Sequence, residues 1–126
     1  MKTIIETDKA PAPIGPYSQA VLSGNMLFVS GQIALNPETG ALAEGDIKQE
    51  TRQVMENLKA ILEAAGMSFE HVVKTSIFLS DMKQFGEVNE VYGTYFKAAI
   101  PPARETVEVA GLPKSVNVEI SVIAVK

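Results

Sequence analysis

A chain of 126 residues suits one domain with a proper core and is too short for two comfortable ones, so residues 1–126 read as a single domain. Hydrophobic residues at 46% against charged residues at 21% exclude a wholly disordered chain, and no apolar run approaches the length of a membrane span. Fifteen acidic against eleven basic residues (net −4) without a basic run argue against nucleic acid, while zero cysteines and one histidine exclude disulfides, thiol chemistry and a Cys- or His-rich metal site.

The opening Met1-Lys2-Thr3-Ile4-Ile5-Glu6 lacks the apolar core of a secretory signal, so the cytoplasm is the expected compartment. Pro11, Pro13, Gly15 and Pro16 then crowd one segment, an ordered but irregular lead-in. Residues 18–22 and 26–34 read as strands joined by the turn Ser23-Gly24-Asn25, with a second turn at Asn36-Pro37-Glu38-Thr39-Gly40. Asp46 is placed to cap a helix, and Gln49, three residues on, completes a capping box. Ile47, Val54, Met55, Leu58, Ile61, Leu62 and Ala65 form its apolar stripe, and Gly66 supplies the stop.

Residues 72–80 follow as a β-branched strand. Asp81 is expected to cap a second helix running to about Lys97, with Phe85, Val88, Tyr92, Tyr95 and Phe96 as its buried stripe. Pro101-Pro102 bar further helix, and a strand begins near Arg104. After the turn Leu112-Pro113-Lys114-Ser115, the last strand covers residues 116–125. There Val118, Ile120, Val122 and Ala124 alternate with Asn117, Glu119 and Ser121. Two helices on one face of a mixed sheet satisfy both apolar stripes, which makes the fold α+β. Nothing remains to cover the second sheet face, so the chain is expected to form an oligomer that packs sheet on sheet or closes a barrel.

The polar residues that break these patterns are the candidates for chemistry. Alternation from Arg104 puts Val107 and Val109 on one face, and Arg104, Thr106 and Glu108 on the other. A guanidinium on a stiff strand beside a hydroxyl can receive a planar carboxylate. The ordinary alternative is a surface ion pair with Glu105 or Glu108. Glu119 is either a solvated outward carboxylate or, if a subunit covers it, a group able to hold or activate water. Asn89 falls inside the second apolar stripe, where a buried amide needs a partner, either backbone or ligand.

Tyr17 follows Gly15-Pro16 and is expected to pack as a lid with a satisfied hydroxyl. Ser30-Gly31-Gln32 interrupts an apolar strand at a point where glycine permits close approach by a ligand or chain. His71, at a helix-to-strand junction, reads as an exposed turn residue. No Ser-His-Asp pattern, phosphate loop or dinucleotide fingerprint is present. The residues by themselves describe a small-anion-binding α+β oligomer.

Across essentially its whole length the chain resembles the RidA (YjgF-type) reactive-intermediate deaminase family. The resemblance is carried by Ile14-Gly15-Pro16-Tyr17-Ser18-Gln19-Ala20, Ser30-Gly31-Gln32-Ile33, Pro37-Glu38-Thr39-Gly40 and Ile61-Leu62-Glu63-Ala64-Ala65-Gly66. It continues in Val88-Asn89-Glu90-Val91-Tyr92, Pro102-Ala103-Arg104, Leu112-Pro113 and Val118-Glu119-Ile120. It implies a chorismate-mutase-like α+β fold, a homotrimer with a central barrel, and ligand clefts between subunits. It also implies hydrolysis of 2-imino acids such as 2-iminobutanoate and 2-iminopropanoate to 2-oxo acids and ammonia, which protects pyridoxal-phosphate enzymes, with no cofactor.

On this resemblance Arg104 would bind the substrate carboxylate. Glu119 and the Thr106 backbone carbonyl would position water, and Tyr17, Ser30, Gly31 and Asn89 would line the cleft. Many members carry Ser-Cys where this chain has Glu105-Thr106, and alternation points Glu105 away from the Arg104 face. Ser121 stands where glutamate is frequent. Two other readings are a non-catalytic module that senses a small carboxylate, and the ribonuclease or translation inhibitor described for some members.

Overall fold

The computed structural model describes residues 1–126. Its six strands are β1 (Lys2–Ile5), β2 (Ala20–Ser23), β3 (Met26–Gln32), β4 (Val72–Leu79), β5 (Ala103–Glu108) and β6 (Val118–Val125). They form one sheet in the order β1-β2-β3-β6-β4-β5, antiparallel throughout except for the parallel pair β4–β5. Helices α1 (Ile47–Ala64) and α2 (Phe85–Thr94) pack against each other, and α1 lies on β3 and β6. The fold is the expected α+β mixed sheet, and no helix is long and apolar enough to cross a membrane.

The first helix forms as its sequence requires. The Gln49 N–H donates to Asp46 Oδ1 at 3.0 Å, and the Asp46 N–H donates to Gln49 Oε1 at 3.0 Å, the reciprocal capping box. Ile47, Val54, Met55, Leu58, Ile61 and Leu62 are buried, and Gly66 turns left-handed at φ +71° to end the run.

The second helix is shorter than its pattern suggests. Asp81 caps a 3₁₀ turn (Met82–Gln84), accepting from the Lys83 N–H at 2.9 Å, and the α-helix runs only from Phe85 to Thr94. Gly93 and Thr94 weaken its last turn, where the chain must already bend toward Pro101. Strand β1 has no signature in the sequence, because Lys2, Thr3 and Ile4 are all exposed and only pairing with β2 holds them extended.

Alternation divides the sheet into two faces. Leu27, Val29, Thr75, Ile77, Leu79, Val118, Ile120, Val122 and Ala124 point to the helices and are buried. The other face carries Phe28 and Val107, both exposed, with half-buried Phe78 and Ile123. No part of the chain covers that face.

Two buried amides staple loops to this frame. Gln19 accepts from the Thr7 N–H at 2.7 Å and donates to the carbonyls of Ala10 at 3.2 Å and Pro11 at 2.8 Å, holding the lead-in. Asn57 on α1 donates to the carbonyls of Ile33 at 3.1 Å and Leu35 at 2.9 Å. Replacing Asn57 by leucine keeps the bulk but leaves both carbonyls unpaired. We expect a loss of about 2 to 4 kcal/mol in urea unfolding, with an unchanged denaturant slope.

Candidate functional site

Glu119 sits on the open face because Val118 and Ile120 take the core side of β6, and it lies opposite Phe78 of β4. The β3–β6 register shifts between Val29 and Gln32, so Ser30 and Gly31 leave the regular ladder beside it. A side chain on Gly31 would drive its Cβ to within 2.9 Å of the Glu119 carboxyl carbon. The glycine therefore makes room for a side chain of its own chain.

Tyr17, Ser30, Gly31, Ile33, Pro113 and Glu119 line a cleft of about 360 Å³. Ser30 Oγ donates to the Ser18 carbonyl at 2.6 Å, which fixes the hydroxyl oxygen toward the loop. Tyr17 is exposed rather than packed as a lid, and its hydroxyl accepts from the Ile14 N–H at 3.3 Å. Glu119 is half-buried, and that burial pushes its carboxyl above the ordinary carboxylate range.

Arg104 occupies a different place. Its Nη1 donates to Asn89 Oδ1 at 2.7 Å, and its guanidinium carbon lies 5.0 Å from the Tyr92 ring centroid and 5.4 Å from that of Phe85. Pro101 and Pro102 border the same hollow. The surface ion pair is not formed. Glu105 faces the other way, bonded to Ser76 and paired with Lys74 at 2.9 Å, and Glu108 accepts from the Met82 N–H at 2.7 Å.

Every partner of the Arg104 cation within the chain is thus neutral. Asn89 is exposed, outside the buried stripe in which its spacing placed it, and it meets the arginine from the helix surface. Thr106 shares the Arg104 face, with its hydroxyl buried and unpaired. His71 is a half-buried turn residue whose Nδ1 accepts from the Ser68 N–H at 3.0 Å.

These residues form two groups. Arg104 is in register with Thr75 on the helix face, whereas Glu119 is in register with Phe78 on the open face. Strand β4 lies between β5 and β6, so the Thr106 backbone and Glu119 are two strand spacings apart, about 10 Å. One chain holds Arg104, Asn89 and Thr106 in one half and Tyr17, Ser30, Gly31 and Glu119 in the other. The aromatic rings flanking Arg104 were legible only as members of an apolar stripe, which gave no sign of their contact with a cation.

The state of Glu119 has a measurable consequence. A carboxyl pKa raised in the native state means that the folded chain holds the proton more tightly, so stability falls as pH rises through that range. Glu119→Gln removes the penalty. The variant is expected to melt above wild type at about pH 7, with the gap closing at about pH 4. Calorimetry at both values checks this, and a gap that does not depend on pH contradicts it.

The sequence matches the family described as Endoribonuclease L-PSP over residues 7–126. It is 56% identical over 126 residues to a RutC family protein of Pyrococcus horikoshii, covering 100% of this chain and 99% of that one. A mouse protein named 2-iminobutanoate/2-iminopropanoate deaminase is 48% identical over 126 residues, covering 100% of this chain and 93% of its own length. The crystal structure of the YjgF gene product of E. coli superimposes with a TM-score of 0.94 at 48% identity, covering 98% of each chain. With likeness of sequence and fold running over essentially its whole length, the chain belongs to the RidA (YjgF-type) family.

Proposed function

We propose that the protein hydrolyses 2-imino acids, such as 2-iminobutanoate and 2-iminopropanoate, to 2-oxo acids and ammonia in the cytoplasm, sparing pyridoxal-phosphate enzymes from them. The observation that carries this reading is the Arg104 cation, exposed and held only by neutral groups, so that its remaining N–H donors are available to a carboxylate. The name of the mouse relative supports the same substrate class.

Because the halves lie on opposite faces, a working site takes Arg104 and Asn89 from one subunit and the Glu119 cleft from its neighbour. The uncovered sheet face, with Phe28, Phe78, Val107 and Ile123, supports a homotrimer whose sheets pack around a central barrel. The net charge of −4 disfavours the phosphate footprint that a ribonuclease needs.

In the proposed reaction Arg104 grips the carboxylate and orients the adjacent C=N carbon. A water held by Glu119 and the Thr106 carbonyl attacks that carbon, and its proton passes to the Glu119 carboxylate. The protonated Glu119 then delivers this proton to nitrogen. The hydroxyl's own proton then passes to nitrogen as well, so the C–N bond breaks, ammonia leaves with both protons of the water, and the hydroxyl oxygen becomes the carbonyl of the 2-oxo acid. Burial helps Glu119 here, since a carboxyl with a raised pKa is a better proton carrier near neutrality. Tyr17, Ser30 and Gly31 shape the cleft around the substrate.

The test is conversion of enzymatically generated 2-iminobutanoate to 2-oxobutanoate, with semicarbazide as trap. Wild type should accelerate it, and Arg104→Ala should lose at least about a hundredfold in kcat/KM through two charge-assisted hydrogen bonds. Folded wild type that gives no acceleration rejects the reaction for this substrate.

Sharing of the site is tested by mixing. Arg104→Ala and Glu119→Gln subunits, each inactive by itself, should recover about a quarter of the wild-type sites when refolded together at equal amounts. No recovery in mixed oligomers places both halves of each site in one subunit.

A further inference from the structure

We infer that Tyr92 is a positioning residue: anchored by Thr75, its ring holds the Arg104 guanidinium in place before any ligand arrives. The inference rests on the role proposed for Arg104 as carboxylate anchor, but it concerns how that group is held rather than what it binds. Arg104 leaves an edge strand into solvent, with no carboxylate to restrain it. A side chain of this kind ordinarily samples many rotamers, and freezing it on binding weakens affinity.

Here two rings of α2 flank the guanidinium, Tyr92 at 5.0 Å and Phe85 at 5.4 Å, within cation–π range. Ring contacts act through the π face and consume no N–H donor. Asn89 takes one of the five donors, which leaves a fork for a planar anion.

The ring is itself fixed. The Tyr92 hydroxyl and Thr75 Oγ1 share a hydrogen bond of 2.8 Å, with Tyr92 at 6% and Thr75 at 1% exposure. Thr75 is also the residue of β4 in register with Arg104 of β5. A closed circuit results, running from Arg104 to the Tyr92 ring, through its hydroxyl to Thr75, and back across the β4–β5 ladder. Backbone register and side-chain contact determine the same guanidinium position. Asn89, three residues before Tyr92 on α2, reaches the cation from the same helix face.

The test compares Tyr92→Leu, Tyr92→Phe and Thr75→Val in the full-length protein. Order of the Arg104 Nε–H vector in ligand-free protein is read by ¹⁵N relaxation, and KM and kcat are read with 2-iminobutanoate. Tyr92→Leu should let the Arg104 order parameter fall toward that of a free surface arginine. KM should rise about two- to tenfold with kcat little changed. Tyr92→Phe keeps the ring and should retain most of the order. Thr75→Val should match it, and the double variant should be no worse than either single, because both remove one bond.

An Arg104 as ordered in Tyr92→Leu as in wild type overturns the inference. If Tyr92→Leu does not fold, Tyr92→Phe and Thr75→Val decide: small, equal and non-additive losses support it, and absent or additive losses overturn it. Order that depends on Tyr92 in a wild type without turnover leaves this inference standing and removes the imine reading instead.

Discussion

Side chains along a strand alternate between two faces, and one layer of helices can cover one of them. In this chain both helices take the same side, so the residues that meet α1 and α2 become core and their neighbours in sequence stay outside. Burial of each large aliphatic side chain contributes about 1.5 to 3 kcal/mol, and a slip of one residue in β6 would exchange Val118 and Ile120 for Glu119. The core therefore enforces the register, and the register carries Glu119 to the open face without any contact of its own. The same rule in β5 sends Arg104 to the helix side and Glu105 away from it. The separation of the Arg104 group from the Glu119 cleft is thus a by-product of core packing.

Local departures from regular structure refine this plan. The shift between β3 and β6 lets Gln32 turn inward, where it is buried and its amide donates to the Ser30 carbonyl at 3.2 Å. It also presents Gly31 to Glu119 without the Cβ that would collide with the carboxylate. Asn57 and Gln19 fix the two loop segments that wall this cleft, one from the helix and one from the lead-in. Each of these amides satisfies backbone groups that would otherwise be buried unpaired, so loop position and stability depend on the same bonds.

Strong local patterns were the legible part of the sequence. The Asp46–Gln49 box, the stripe of α1 and the alternation of β6 appear in the structure as the residues predicted them, because each is set by interactions within a few residues or by burial with a clear period. Strand β1 was not visible, since its extended form depends on β2 and its side chains carry no burial signal. Asn89 was misplaced for a related reason. Spacing of three and four residues put it in the stripe, but α2 is only ten residues long and sits over the sheet edge, so its buried arc is narrow. The uncovered sheet face was deducible by counting elements, whereas the neutral surroundings of Arg104 depend on tertiary contacts, because Glu105 and Glu108 find other partners.

Strand β5 is an edge, with one row of backbone donors and acceptors unpaired by its own sheet. Such a row invites any passing extended segment, and proteins discourage the invitation with charge. Arg104, Glu105 and Glu108 are the charged side chains of this strand; without them it would read as alanine, threonine and valine. The arginine proposed as carboxylate anchor therefore also guards this edge against strand-to-strand pairing. A variant made neutral at position 104 carries a blunter defence against aggregation, whatever becomes of its activity.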